Sequence, residues 1–369
     1  MKNIDRRQWL KSVSLAGTAA ILLPTQSFSI DSPARRIKGD KVRLTSNENP
    51  YGPSKAVRKA IIDAFDITCR YPSINLRPLV DAIAEKEGVT KEHVVVTGGS
   101  TEGLKAAGMT YGLEGGEIVA ADPTFQAMLR YAENVGAYVH RVPLNDKMEH
   151  DLDAMAARVT SKTGLIFICN PNNPTGTLLD KIKLQNFCNS FEKRTMIFSD
   201  EAYYDYITDP DYPSMVKLVK EGKNVIVSKT FSKVYGLAGI RIGYLIARPD
   251  IAQRLKKNIM AMTNVPAIAA ASAALNDDEF YKFSISKNME GKNAIYKTLD
   301  ELNLDYIRSH TNFVFFKSGR HIEALAKDME KEGVLIGRPF PPLYQWARIS
   351  TGTTEEVAAF CSAIKRVYS

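Results

Sequence analysis

Residues 224–241 have the sequence NVIVSKTFSKVYGLAGIR, an apolar run followed by hydroxyl residues, a lysine, small residues and an arginine. The run from Asn224 to Val227 predicts a buried strand, and Lys233 follows it. A lysine at a strand end, beside hydroxyl groups and Arg241, can hold a carbonyl cofactor as a Schiff base while the other groups bind a phosphate. An ordinary lysine has a pKa of roughly 10.4, so such a site must desolvate it or place cations nearby. Taken alone, the segment also fits a solvated surface lysine.

Three more segments combine an apolar strand pattern with polar residues at its end. They are VVVTGGSTEG (94–103), LIFICNPNNPTG (165–176) and MIFSDEAY (196–203). With these four motifs in the family's order, the chain resembles the fold-type I aminotransferases, which use pyridoxal 5′-phosphate, and within them the histidinol-phosphate aminotransferase branch. The matching motifs extend from about Leu44 to Gly352. The resemblance therefore predicts an enzyme that binds pyridoxal 5′-phosphate at the ends of these strands.

The resemblance implies a role for the residues around the cofactor ring. Lys233 would carry the cofactor and shuttle a proton, and Asp200 would pair with the pyridinium nitrogen and keep it protonated. Asn173 and Tyr203 would bond the phenolic oxygen of the ring. Phe125 would stack on the ring, at a position where relatives often have tyrosine. From the residues alone, Asp200 also fits a helix cap at a strand end, Asn173 a turn residue and Phe125 core packing.

A second group of residues would bind the cofactor phosphate. Gly99, Ser100 and Thr101 start a predicted helix, where free backbone N–H groups and the helix dipole favour a phosphate. An ordinary glycine turn with a Ser/Thr cap has the same pattern. The resemblance adds three residues of the lysine segment: Thr230, Ser232 and Arg241. It also implies that Tyr71 reaches the phosphate of a neighbouring subunit, so that the active enzyme is a homodimer with shared active sites.

Substrate-binding residues are predicted in the C-terminal part of the chain. Arg348 would clamp the substrate α-carboxylate together with Asn173, although it also fits a surface charge on a short strand. Arg338 would grip a substrate phosphate, as an arginine near this point does in the histidinol-phosphate branch, or else pair with a surface acid. Gly337 is an extra residue relative to some relatives. Three nearby aromatic residues favour an aromatic substrate instead: Phe340, Tyr344 and Trp346.

These assignments predict transamination by a ping-pong cycle. We expect the amino donor to be histidinol phosphate-like or an aromatic amino acid, and the acceptor to be a 2-oxo acid such as 2-oxoglutarate. Alternatives on the same scaffold are an aromatic-amino-acid aminotransferase, a decarboxylase or a lyase. A non-catalytic exported binding protein is the more distant alternative, and the complete set of motif residues argues against it.

The periodicity of the chain predicts an α/β fold. Helical patterns alternate with strand patterns, with helices at 55–65 and 76–87 and strands at 93–97, 117–121, 137–142, 164–169, 195–199 and 224–229. This alternation predicts a mainly parallel sheet covered by helices on both faces, with ligands at the carboxyl ends of the strands. The remainder predicts a smaller α/β domain with a long helix at 269–302, short strands at 312–316 and 346–350, and a terminal helix at 354–368.

The N-terminus carries a separate signal. Arg6 and Arg7 precede a short apolar run from Val13 to Leu23, which is too short for a normal membrane helix and resembles a twin-arginine export signal. Export in the folded state would make the protein periplasmic; the alternatives are a basic arm, an uncleaved anchor or a cytoplasmic protein. The predicted parts of the chain are a signal peptide (1–30), an arm contributing to the small domain (31–50), a large cofactor-binding domain (51–262) and a small C-terminal domain (263–369).

The composition of the chain limits the kinds of partner that the protein is expected to bind. The formal net charge of the 369 residues is +8. Residues 1–40 hold seven Lys/Arg against three Asp, so half of that charge belongs to the leader region. The rest is spread along the chain with no basic stripe, which argues against nucleic-acid binding. The four cysteines lack the close spacing of a metal site or a disulfide framework. We therefore expect small-molecule partners, no metal, and membrane contact only through export.

Overall fold

Twelve strands are found in residues 41–369, the part of the chain that the computed structural model describes. They are β1 (Val42–Arg43), β2 (Val94–Thr97), β3 (Glu117–Asp122), β4 (Tyr138–Pro143), β5 (Thr163–Cys169), β6 (Met196–Asp200), β7 (Val225–Thr230), β8 (Gly243–Ala247), β9 (Tyr306–Ile307), β10 (Phe313–Lys317), β11 (Val334–Leu335) and β12 (Trp346–Ser350). The predicted signal peptide and the first half of the predicted arm, residues 31–40, lie outside the described residues.

Twelve α-helices accompany these strands in the described part of the chain. They are α1 (Lys55–Asp63), α2 (Ser73–Glu87), α3 (Ser100–Gly112), α4 (Ala127–Asn134), α5 (Leu152–Ala157), α6 (Lys181–Phe191), α7 (Val216–Lys220), α8 (Pro249–Lys256), α9 (Val265–Leu275), α10 (Asp278–Glu301), α11 (Ile322–Lys331) and α12 (Thr354–Tyr368). None of the helices within residues 41–369 is both long and apolar enough to cross a membrane.

The central sheet has seven strands in the order β2-β8-β7-β6-β5-β3-β4. Neighbours from β7 to β4 are parallel, whereas β8 is antiparallel to both β2 and β7. The predicted α/β fold with a mainly parallel sheet is therefore confirmed. The strand pattern of β8 was not among the predicted ones, because it follows the lysine segment directly rather than after a helix.

Apolar residues bury both faces of the inner strand β5. Alternate residues of β5 point to opposite faces: Ile166 and Ile168 join one hydrophobic core, while Leu165 and Phe167 join another. All four side chains are inaccessible to solvent. Parallel strands buried on both faces require helices on both sides, and this layering confirms the prediction.

The loops that follow β2, β3, β5, β6 and β7 leave the sheet at one edge. Because β2 and β7 both run antiparallel to β8, β2 has the same direction as β7 and as the parallel strands beyond it. The carboxyl ends of these five strands therefore meet at that edge. Each of the four sequence motifs ends there, in agreement with the rule for ligand sites in such sheets.

The C-terminal part has its own core. There β10 pairs antiparallel with β9 and β12, and β1 of the arm pairs in parallel with β11. Leu44 of the arm packs in this core with Phe316 and Phe360. Helix α9, just after the predicted boundary at 262, instead shares the core of the central sheet. The domain boundaries stay predictions.

One predicted element is wrong. The helix predicted at 269–302 is two helices, α9 and α10, which are interrupted at Asn276 and Asp277. The Asp277 side chain accepts a hydrogen bond from the backbone N–H of Phe280 at 3.0 Å and so caps α10. Apolar residues recur at helical spacing on both sides of this break, so the periodicity did not reveal it. The other predicted elements agree with the structure to within three residues at their ends.

Candidate active site

A cavity of about 310 Å3 lies at the carboxyl edge of the central sheet. It brings together most of the predicted site residues: Ser100, Thr101, Phe125, Asn173, Asp200, Tyr203, Ser232, Lys233, Arg241, Arg338 and Arg348. Gly99 and Thr230 lie next to this lining without forming part of it. Tyr71 is 85% exposed and does not line the cavity of its own chain.

Lys233 is desolvated, as the sequence argument required. Its amine donates a hydrogen bond to the backbone carbonyl of Asn47 at 3.0 Å and lies 5.4 Å from the centre of the Tyr203 ring. Burial, followed by the nearby Arg348, lowers the pKa of Lys233 to about 8. A lysine with this pKa is partly neutral under ordinary conditions and can therefore act as a nucleophile and as a proton carrier.

The Asp200 carboxyl group is buried at the end of β6. One of its oxygens accepts a hydrogen bond from the backbone N–H of Ala202 at 3.3 Å. Burial raises the pKa of Asp200 to about 7. No lysine or arginine within residues 41–369 forms an ion pair with it, and a buried carboxylate without a cation is costly. The position therefore suits a positively charged ring nitrogen.

The start of α3 and the lysine segment form a cradle for an anion. Gly99 has a φ of 83°, and a Cβ at this position would collide with the guanidinium of Arg241. Glycine thus lets Arg241 lie against the first turn of α3, where the helix dipole also favours an anion. The hydroxyl of Thr230 donates to that of Ser232 at 3.0 Å. The sequence prediction of a phosphate site fits this arrangement.

Tyr203 and Asn173 are both held by hydrogen bonds. The Tyr203 hydroxyl accepts one from Nδ2 of Asn47 at 2.9 Å, and burial raises its pKa above the ordinary value. Oδ1 of Asn173 accepts one from Nη1 of Arg348 at 2.7 Å. Phe125 is half-buried and lines the same cavity. The side chains expected around a cofactor ring are therefore close together and fixed.

Two arginines lie on one aromatic ring at the cavity. The guanidinium carbons of Arg338 and Arg348 lie 4.4 Å and 4.9 Å from the centre of the Phe340 ring. Arg348 is buried and donates to the backbone carbonyl of Thr45 at 2.6 Å, but its Nε has no partner within residues 41–369. Burial lowers the pKa of Arg348 to about 10, and repulsion from Arg338 acts in the same direction.

Several lining residues were not predicted. Ser46, Asn47 and Glu48 of the arm border the cavity, and so do three small residues: Cys169, Ala202 and Ala238. The polar sequence Ser46 to Asn49, followed by proline, was a signal for an irregular backbone. The position of this segment at the carboxyl edge of the sheet depends on contacts with residues that are distant in sequence. Periodicity could therefore not reveal it.

Comparison with known proteins agrees with this geometry. Residues 39–364 match the family "Aminotransferase class I and II". The histidinol-phosphate aminotransferase of Moorella thermoacetica is 37% identical over 332 residues, which cover 89% of this chain and 86% of that protein. The histidinol-phosphate aminotransferase of Halalkalibacterium halodurans is 36% identical over 320 residues, with 85% and 86% covered.

A solved structure shows the same similarity. The histidinol-phosphate aminotransferase from Sinorhizobium meliloti, in complex with pyridoxal-5′-phosphate, has a TM-score of 0.82 at 27% identity, covering 89% of this chain and 91% of that one. The chain belongs to the class I and II aminotransferases. It is a pyridoxal-phosphate-dependent aminotransferase of fold type I, as the motifs predicted; the roles of single residues stay predictions.

The residues present fit pyridoxal 5′-phosphate. The cradle formed by Gly99, Arg241 and the start of α3 offers N–H donors and a cation to its phosphate, and the unpaired Asp200 offers a carboxylate to its ring nitrogen. When bound, the cofactor supplies an electron sink for the bond that breaks at the substrate Cα. Lys233 would then be the group that moves the proton, and Arg348 would orient a carboxylate.

The pKa of Asp200 leads to a stability prediction. In protein freed of cofactor, we expect Asp200→Asn to raise the free energy of unfolding at about pH 8 by roughly 1–3 kcal/mol. Burial raises the pKa of this carboxyl from 3.8 to about 7, so its ionisation favours the unfolded chain, and the cost grows as the pH rises from 3.8 to about 7. Chemical denaturation at about pH 5 and about pH 8 should show a smaller gain at the lower pH.

Asp209→Asn is the matched control. Asp209 is exposed, and its hydrogen bond with Lys181 holds its pKa below the ordinary value. Its replacement should therefore give no gain at either pH. A gain for Asp200→Asn that is equal at both pH values would contradict the interpretation.

Proposed function

We propose that this aminotransferase takes the amino group from a donor that carries a phosphate, with histidinol phosphate as the first candidate, and passes it to a 2-oxo acid such as 2-oxoglutarate. The observation that carries this proposal is that Arg338 and Arg348 both lie close to the Phe340 ring, with their guanidinium carbons 4.4 Å and 4.9 Å from its centre. Neither guanidinium forms an ion pair with a carboxylate within residues 41–369. Two adjacent cations at a cavity favour an anionic substrate.

The charge of the whole lining supports the same substrate class. Four cationic side chains border the cavity against two carboxylates, those of Glu48 and Asp200, an excess of two positive charges. Asp200 is expected to serve the cofactor ring, and the Arg241 cradle its phosphate. Arg338 and Arg348 are then left for the substrate. The names of the relatives agree with a phosphorylated donor but describe those proteins only.

An aromatic amino acid is the second candidate donor, and the structure gives it less support. Trp346 stacks on Phe315, with ring centres 5.1 Å apart, and Tyr344 stacks on His321 at 5.2 Å. Neither residue lines the cavity. Phe340 lies beside the arginines. Two of the three aromatic residues that favoured such a donor are thus engaged elsewhere.

Arg338 provides the test of the donor. We expect Arg338→Gln to lower kcat/KM for histidinol phosphate about ten- to a hundredfold, because a charge-assisted bond to the phosphate is lost. Catalytic efficiency with phenylalanine or tyrosine should hardly change. Arg308→Gln is the control, since Arg308 also stacks on aromatic rings but does not line the cavity. Equal losses with both donors, or none with either, would remove Arg338 from the site.

We also propose a homodimer with shared active sites. Large apolar residues are exposed in two parts of the chain. Ile62, Phe65, Tyr71 and Ile74 belong to the first, and Met260 and Met262 belong to the second. The backbone N–H of Met260 donates to Glu102 of α3 at 3.1 Å, so Met260 adjoins the first turn of α3. A further cavity of about 360 Å3, bordered by Thr101, Arg241 and Met260, opens beside the cradle. We propose that Tyr71 of a second copy enters the site there.

Subunit mixing tests the shared site. In a hybrid of one Lys233→Ala chain and one Tyr71→Ala chain, one of the two sites would receive both an intact Lys233 and an intact Tyr71. Co-expression should then restore about a quarter of the wild-type activity, since half of the dimers are hybrids with one complete site each. Activity no higher than the mean of the two parent variants would argue against the shared site.

We propose, finally, that the protein is exported folded by the twin-arginine route and is periplasmic. The supporting features are Arg6, Arg7 and the short apolar run after them. Replacement of both arginines by lysine should retain the protein in the cytoplasm, as measured by cell fractionation. The pair Arg35 and Arg36, replaced in the same way, is the control and should not change the location. An unchanged distribution after the first replacement would refute the proposal.

A further inference from the structure

Asn47 joins the arm to two residues of the site and to β12. Its backbone is left-handed, with a φ of 54°, a conformation that asparagine tolerates better than most residues. Its amide nitrogen lies 2.9 Å from the Tyr203 hydroxyl oxygen, and its amide oxygen lies 2.9 Å from the Ser350 hydroxyl oxygen. Its backbone carbonyl accepts the Lys233 amine at 3.0 Å. The residue is only 2% exposed, so water has little access to these bonds.

The backbone N–H of Asn47 determines the direction of these hydrogen bonds, because a backbone N–H can only donate. The backbone N–H of Asn47 donates to the Ser350 oxygen at 2.8 Å. The Ser350 hydroxyl has one hydrogen, which it gives to Oδ1 of Asn47. A flipped amide would turn N–H groups towards Ser350 and leave its hydrogen without an acceptor in the described part of the chain. Ser350 therefore sets the amide orientation, and Nδ2 must face Tyr203.

The amide in turn sets the direction of the Tyr203 hydroxyl. An amide nitrogen donates and does not accept, so the Tyr203 oxygen is the acceptor and its own hydrogen points elsewhere. No acceptor for that hydrogen is present among residues 41–369, and Tyr203 lines the cavity. We propose that Asn47 and Ser350 are positioning residues that aim the Tyr203 O–H group into the cavity, where it donates to the phenolic oxygen of pyridoxal 5′-phosphate.

The same residue also places the reacting amine. Nδ2 of Asn312 donates to the Asn47 carbonyl at 3.0 Å and holds it in position beside Lys233. One left-handed residue thus fixes both the amine and the hydroxyl that face the cofactor. This inference rests on the cofactor and not on the proposed donor, so a failure of the Arg338 test would leave it unaffected.

The test replaces the amide donor that faces Tyr203 by an acceptor. Asn47→Asp keeps the size of the side chain but presents an acceptor to Tyr203, so the hydroxyl should turn away from the cavity. We expect the dissociation constant of pyridoxal 5′-phosphate to rise about tenfold or more. The pH midpoint of the visible absorbance of the bound cofactor should rise by about one unit, because the anionic oxygen loses a donor. Tyr203→Phe should give changes of the same size.

The double variant separates this role from added charge or altered structure. With Tyr203→Phe already present, Asn47→Asp should change the dissociation constant by less than about threefold, since the hydroxyl it acts through is gone. Equal changes in both backgrounds, or no change in the wild-type background, would overturn the proposal.

Ser350→Ala keeps the test valid if Asn47→Asp fails to fold. Loss of the Ser350 hydroxyl frees the amide to flip, so we expect a smaller change of the same sign in both quantities. In the Tyr203→Phe background that change should vanish. A Ser350→Ala change that persists there would mean that the residue acts on the site only through general packing.

Discussion

Burial of charge at the carboxyl edge of the central sheet is the constraint on which the site depends. Burial is the largest cause of the shifted pKa of Lys233, Asp200 and Arg348, whose values lie at about 8, about 7 and about 10. Charges held in this way cost free energy until opposite charges reach them. A cofactor phosphate, a ring nitrogen and a substrate anion would supply those charges. The buried charges that destabilise the free protein therefore favour its complex with cofactor and substrate.

The residues that the sequence located are those whose position follows from the strand before them. Asp200 ends β6, and Lys233 follows β7 by a few residues, so their meeting follows from parallel strands that share one edge. The break at Asp277 was not predicted, because a single capping residue interrupts the helix while the apolar spacing continues on either side. The proposed role of Tyr71 depends on a second chain, which no pattern within one chain can place.

The arm is the part of the site that sequence reasoning could not assemble. Leu44 is anchored in the C-terminal core, and the Thr45 carbonyl accepts from Arg348 at 2.6 Å. These contacts join residues about three hundred positions apart, beyond the reach of local periodicity. They hold Ser46 to Glu48 over the sheet edge. The arm consequently belongs to the C-terminal part by its packing and to the active site by its polar groups.

Arg338 and Arg348, beside Phe340, would also attract dissolved anions before these bind. A concave site with excess positive charge and walls of low dielectric constant concentrates the electric field at its mouth, which raises the rate of encounter with anions. Dissolved salt screens such a field over about 10 Å at ordinary ionic strength. Capture of a phosphorylated donor should therefore slow as salt is added, whereas capture of an uncharged molecule should be indifferent to it. The pair of side chains proposed to orient a bound anion would thus also determine which solutes reach the site fastest.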